Sequence, residues 1–352
     1  MKTIHTSIKI VLLTLAALSF NAASARASFF DWENLQSDIA GVAEQVDPNV
    51  VNPWGMAMAP SGNIWVADNG NGVATVYHQN GTPAPNSTNP LVVTIPPNPP
   101  NTQGSPTGIV ANSTSFFKIT KGTNSQPAKF IFVSEDGMIS GWNPNVDSTN
   151  AVPANNGTAK AVYKGATMGV SGGRNFLYVA NFHAGTVETY NGSFVLQAGF
   201  PFTDPTTGPN ALPADFAPFG IRNFKGKIYV TYAKQKPPAN HDDQSGPGNG
   251  FINVFDTGGN FIKRLVSHGN LNSPWGLELI DGELWVGNFG DGMINVYNPS
   301  NGNFIGRPRD VFGNPLAFNG LWGLLLADGG LYFSAGIADE AHGLWGVIFS
   351  ED

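Results

Sequence analysis

Asn52-Pro53-Trp54-Gly55-Met56-Ala57-Met58 leads into Trp65-Val66-Ala67-Asp68, and then into the run from Gly72 to Tyr77. This order of three short elements decides the fold, because it returns five more times. The first element recurs as Ser105-Pro106-Thr107-Gly108, Ala166-Thr167-Met168-Gly169, Ala217-Pro218-Phe219-Gly220, Ser273-Pro274-Trp275-Gly276 and Gly320-Leu321-Trp322-Gly323. Its closing glycines are spaced 53, 61, 51, 56 and 47 residues apart. The second is aromatic and β-branched, as in Tyr178-Val179-Ala180-Asn181, Tyr229-Val230-Thr231-Tyr232, Trp285-Val286-Gly287-Asn288 and Tyr332-Phe333-Ser334-Ala335. Such runs suit buried middle strands. In the second repeat, Phe132-Val133-Ser134-Glu135 arrives late, after an insertion around 112–129. The third is a glycine with a large apolar residue five positions on: Gly72/Tyr77, Gly137/Trp142, Gly185/Tyr190, Gly250/Phe255, Gly292/Tyr297 and Gly343/Ile348.

Self-similarity at this scale marks a repeat architecture. Three strands per repeat, with less regular fourth strands expected at Leu91–Ile95, Phe194–Phe200 and Phe261–Ser267, predict an all-β, six-bladed β-propeller with four-stranded blades. Ring closure limits exposed sheet edges. The last repeat supplies only three strands, so Asn34–Ile39 is expected to join it and close the ring.

Composition agrees. The chain has 43 glycines, 26 prolines and 12% charged residues, and Asn-Gly pairs recur throughout. Asn and Gly tolerate the positive φ of tight turns. Cysteine is absent, which excludes disulfides, thiol nucleophiles and zinc–thiolate sites. Residues 1–27 read as a signal peptide: Lys2 and Lys9, an apolar run Ile10–Phe20, then small residues at Ala23-Ser24-Ala25 and Ala25-Arg26-Ala27. The run is shorter than the roughly 20 residues a membrane-spanning helix needs. The expectation is one domain, 28–352, exported to the periplasm or the extracellular space, with no membrane span after cleavage, and monomeric. The net charge of −7 becomes −10 once Lys2, Lys9 and Arg26 are removed. That balance argues against a nucleic-acid partner.

The Asn52 to Asn69 stretch, Asn319 to Gly323 and the ending Asp339-Glu340-Ala341-His342-Gly343-Leu344-Trp345-Gly346 resemble an uncharacterised bacterial family of exported propellers, related to the NHL and TolB-like six-bladed group. The resemblance covers nearly all the chain beyond the leader. It implies the fold and no single activity. The wider group includes metal-dependent lactonases, lyases and pure binding scaffolds, and fold cannot choose among them.

The loops after second strands and before first strands share one face, here called the top. They carry Asp68, Glu135, Asp136, His183, Lys234, His241, Asp242, Asp243, Asp291, Asp339, Glu340 and His342. Binding residues commonly ride on such loops. Three functions follow from this pattern. One is a scaffold that binds a small-molecule, glycan or protein ligand through its top face. Another is a hydrolase, lactonase or lyase dependent on a divalent cation such as calcium, with Asp68, Asn181, Asn288 and Asp339 as oxygen ligands and His183, His342 and Glu340 as candidate catalytic groups. The last is carbohydrate binding by Trp54, Phe219, Trp275 and Trp322 at the channel mouth. Each has a purely structural counterpart. Asp and Asn make turns, histidines bond to neighbours, the four aromatics pack blade against blade, and Asp242-Asp243 face solvent in a Pro/Gly-rich insertion.

Overall fold

The computed structural model describes residues 29–351, so the expected signal peptide lies outside the described residues. Six blade sheets, antiparallel but for one edge pair, follow one another along the described residues, with a separate two-stranded hairpin at Lys118–Lys121 and Asn124–Pro127. The innermost strands are Pro53–Met58, Pro106–Ala111, Tyr163–Ser171, Phe216–Phe224, Pro274–Ile280 and Leu321–Ala327. Each pairs with the second strand of its blade, which pairs with the third. The three repeated elements thus take their expected places, apart from the first element of blade 3. Second strands such as Ile64–Asp68 are buried from end to end, because neighbouring blades cover both faces of each blade. This is why they read as continuous apolar runs rather than as alternation.

The ring closes as anticipated, but earlier in the chain. Phe29–Ser37 lies antiparallel to Leu344–Glu351, with Trp32 opposite Ile348 and Asn34 opposite Gly346. Gln45–Val46 adds a short parallel fifth strand. Three bonds fasten this clasp. Ser37 Oγ donates to the Gly343 carbonyl at 2.7 Å, the Gly343 amide donates to Asp38 Oδ1 at 2.8 Å, and His342 Nδ1 lies 2.6 Å from Asp38 Oδ2.

Two sequence expectations are corrected. Phe194–Phe200 forms no strand, and blade 3 has three strands. Phe194 adopts φ +58° and turns inward, its ring 5.3 Å from Phe117, which breaks the extended run a ladder needs. The second correction concerns the register of blade 3. The glycines at the axis are Gly55, Gly108, Gly165, Gly220, Gly276 and Gly323. A side chain on any of the six would meet the backbone of the next blade's corresponding segment: Thr107 for Gly55, Gly165 and Ala166 for Gly108, Phe219 for Gly165, Trp275 for Gly220, Trp322 for Gly276 and Trp54 for Gly323. The blade-3 member is Gly165, not Gly169. With it the second and third spacings become 57 and 55 rather than 61 and 51.

Candidate functional site

The glycine ring fixes which side chains meet at the axis: those just before each glycine, namely Trp54, Thr107, Lys164, Phe219, Trp275 and Trp322. Trp54, Phe219 and Trp322 are buried, with Phe182 and Phe289 packed around them. Trp54 stacks on Trp322 at 3.4 Å between centroids. Phe289 stacks on Trp322 from 4.0 Å, and Trp275 meets both tryptophans edge-on near 6 Å. These rings plug one end of the channel, next to a small cavity lined by the six axial glycines, Trp275 and Arg222. Of the four aromatics named from sequence, only Trp275 keeps part of its surface, and its indole N–H donates to the Lys164 carbonyl at 2.8 Å.

Lys164 is the charged member of the ring. Its side chain is 3% exposed. Its ammonium lies 5.0 Å from the Trp54 ring centroid and 5.8 Å from that of Phe182, within cation–π range. It donates a short hydrogen bond to Glu135 Oε1. Glu135 Oε2 accepts from Asn69 Nδ2 at 2.8 Å. Asn52 Nδ2 donates to Glu340 Oε2 at 2.8 Å and, more weakly, to Asn69 Oδ1 at 3.4 Å. The Trp322 indole donates to Asn52 Oδ1 at 3.0 Å. From blade 4, Asp243 accepts a short bond from the Ser273 hydroxyl of blade 5, and Asp242 Oδ1 lies 2.7 Å from His241 Nδ1. Every blade contributes to one polar layer above the aromatic plug.

The electrostatics show one cluster. Burial raises the Glu340 carboxyl above its usual range, against the Asn52 bond, with Glu135 and Asp243 adding to the rise and Lys164 opposing it. Burial likewise raises Asp243, opposed by Ser273 and Lys164. Asp242 also loses solvent, but its bond to His241 and the nearby Lys164 bring it below its usual range. Four carboxylates thus share one ammonium. Glu340 is held in place by an unusual loop, in which Ala338, Asp339 and Glu340 all adopt positive φ of 54°, 54° and 67°. Three consecutive non-glycine residues in this region are costly and cluster where function requires them.

The remaining sequence candidates fall elsewhere. Asp68, Asn181 and Asn288 each end a second strand, in blades 1, 3 and 5, and each is fully buried. Asp68 Oδ2 accepts from the Thr75 amide and hydroxyl at 3.1 and 2.8 Å. Asn181 donates to Glu188 at 2.7 Å, and Asn288 to the Asn270 carbonyl at 2.8 Å. These partners lie within or beside their own blades, so the set does not converge on one ion. Asp339 lies beside Glu340 in the strained loop. His342 belongs to the clasp. His183 Nδ1 lies 2.9 Å from the Ala239 carbonyl of the blade-4 insertion. Asp242 faces solvent as expected, but Asp243 is half-buried. Sequence reasoning missed Lys164, Asn52 and Asn69. More even glycine spacings would have found Lys164; nothing local marks the two asparagines.

Glu135, His241 and Asp242 each offer a ligand atom, all within 4.8 Å of one another. They fit a divalent ion poorly, because both Glu135 oxygens already accept hydrogen bonds, one of them from an ammonium. Among the described residues, no helix is long and apolar enough to cross a membrane.

The NHL repeat family matches residues 51–72, the stretch that sets the repeat. "Uncharacterized protein L690" of Acanthamoeba polyphaga mimivirus is 31% identical over 324 residues, covering 88% of this chain and 83% of the relative. "Uncharacterized protein R648" of the same virus is 30% identical, covering 89% of this chain and 78% of the relative. These relatives are viral, so the bacterial source implied by the resemblance finds no support. Among solved structures, virginiamycin B lyase from Staphylococcus aureus matches with 14% identity and TM-score 0.52, over 90% of this chain and 99% of that one. A Bacteroides thetaiotaomicron protein of unknown function matches with 9% identity and TM-score 0.55, over 92% of this chain and 76% of that one. At these identities the likeness speaks for the fold.

Proposed function

The chain belongs to the family of NHL-related propeller proteins that includes mimivirus L690 and R648, and from that premise we propose that it is a binding scaffold whose ligand docks on the top face, against the polar layer around Lys164. One observation carries the reading: side chains from all six blades, distant in sequence, meet at the axis only when the ring closes. A blade-stabilising network would have no need of such convergence. Four carboxylates against one ammonium favour a neutral or cationic ligand with several hydroxyl or amine groups, and disfavour an anion. Glu340 is the group best suited to receive it, since burial and neighbouring acids already weaken its hold on charge, and a donor from the ligand relieves that.

Burial of three of the four axial aromatics argues against sugar stacking as the main mode. The metal-dependent hydrolase or lyase reading loses support from the separation of Asp68, Asn181 and Asn288. The neighbouring lyase lends it only a common fold.

The test is thermal unfolding of the protein against monosaccharides, polyols, polyamines and multivalent anions. At least one hydroxyl- or amine-rich class should raise the melting temperature, and Glu340→Gln should abolish that rise while leaving the unliganded protein folded. No rise with any of these classes, or a rise indifferent to Glu340→Gln, would remove the proposal.

A further inference from the structure

We infer that the top of the axis is a cation pocket with a tethered occupant: the Lys164 ammonium stands where a free cation would otherwise be required. The inference goes beyond ligand docking and does not depend on it.

Three observations lead here. First, Lys164 occupies a ring position whose other members are Trp54, Thr107, Phe219, Trp275 and Trp322. A buried lysine at such a place must be compensated. Second, the compensation is that of a bound cation. The ammonium has a carboxylate at hydrogen-bond distance and two aromatic faces within 6 Å. It also pulls down the proton affinities of Asp242, Asp243 and Glu340. Third, acids from blades 2, 4 and 6 surround it; among the described residues Glu135 forms its one ion pair with Lys164, while the exposed Asp242 also has His241 and Lys236 nearby. Without the ammonium, Glu135, Asp243 and Glu340, each half-buried beside the solvent-facing Asp242, would share the top of the axis uncompensated. They would then have to take up protons or recruit an ion.

A divalent ion placed between Glu135, His241 and Asp242 would share Glu135 with the ammonium and be repelled by it. The site therefore does not need a free ion, and Lys164 keeps one out. Truncating the lysine converts the pocket into an open cation site, for either an alkylammonium of the missing length or a divalent metal.

The experiment compares thermal unfolding of the full protein and its Lys164→Ala variant, with direct titration of Mn2+, Ca2+ and propylammonium. The wild type should melt at one temperature in chelator and in millimolar divalent ion. Lys164→Ala should melt lower, recover at least half the loss with propylammonium or Mn2+, and bind Mn2+ at least tenfold more tightly than the wild type. A chelator-sensitive wild type, or a variant that responds to neither cation, overturns the inference. Should Lys164→Ala not fold, the pair Lys164→Met with Glu135→Gln decides. Methionine keeps the side-chain volume, so Lys164→Met alone should be destabilised and should regain part of the loss when Glu135→Gln removes the facing charge; a Lys164→Met variant as stable as the wild type would show that the lysine acts by packing alone and overturn the inference. All these readouts are stability or ion binding, so they stand apart from the loss or survival of ligand binding in Glu340→Gln.

Discussion

Asp68 and Lys164 are both buried, both lie at the top of a blade, and differ in the partners they bond. Asp68 turns to Thr75 of its own blade. The same box recurs with seven- and nine-residue spacing as Asn181, Glu188 and Tyr190 in blade 3, and as Asn288, Asn295 and Tyr297 in blade 5. In blade 3, Glu188 accepts from Tyr163, Tyr190, Thr158 and Asn181 at 2.6–2.7 Å. Lys164 has no counterpart in other blades and bonds across blades. Repeated polar groups bond within or beside their own blade, directly in blades 1 and 3 and through the Asn270 carbonyl in blade 5, while unrepeated ones at the axis converge only through closure. The former are architecture and the latter are candidates for function.

The sharpest way to break this comparison is to open the ring. A Cβ on Gly220 would overlap the Trp275 carbonyl, a backbone atom that cannot step aside. Gly220→Ala should cost roughly 3 kcal/mol or more, or prevent folding. At Gly169, off the ring, the added atom meets the Asn223 amide and the Tyr178 ring, side chains that can yield, and the cost should be on the order of 1 kcal/mol. Urea midpoints of the two variants check the blade-3 register directly; equal losses would place Gly169 on the ring after all.

Much of the scaffold was legible because strands that bury both faces leave a signal in every repeat. The blade-3 register was not. Lys164-Gly165 carries neither the proline nor the aromatic of Ser273-Pro274-Trp275-Gly276, and Ala166-Thr167-Met168-Gly169 imitates the small-residue pattern four positions on. The residue that breaks the repeat is also the charged member of the axial ring, and a side chain outside the consensus leaves no repeat signal to read. His342 misled for the opposite reason. A histidine in a turn suggested chemistry, but its partner Asp38 lies 304 residues away in sequence, just past the end of the closing strand. The axial cluster was legible only in part: Glu135, Asp243 and Glu340 were placed on the top face, but Asn52 and Lys164 share no local pattern with them and join that neighbourhood only in three dimensions.

Glu135→Gln comes next in expected effect. It keeps the shape but strips the charge from the one carboxylate bonded to a 3%-exposed ammonium. Breaking a buried pair from one side costs about 3–5 kcal/mol. Here the remaining acids hold the loss toward the lower figure. Equilibrium unfolding in urea measures it. A change below about 0.5 kcal/mol, in the range of an exposed pair, would mean the axis is wetter than its burial indicates.

Asp68→Asn should have the smallest effect, and of opposite sign. Burial raises the Asp68 carboxyl well above its usual range, against the Thr75 bonds, and its Oδ1 has no hydrogen-bond partner. Folding therefore favours the protonated acid. That contribution is complete below the unfolded value of about 4 and is lost as pH rises from there through the higher folded value, above which the group is a buried charge. Asparagine carries no such charge, still accepts from Thr75 through its amide oxygen, and already stands at this place in blades 3 and 5. Asp68→Asn should thus leave stability at pH 7 unchanged or raised by up to about 1 kcal/mol, and should flatten the fall in stability between pH 4 and pH 7. Melting temperatures of wild type and variant across that range decide the matter. A loss of several kcal/mol at pH 7 would show that Asp68 is needed as a charge, and the distinction between blade-internal and axial groups would fail at its simplest case.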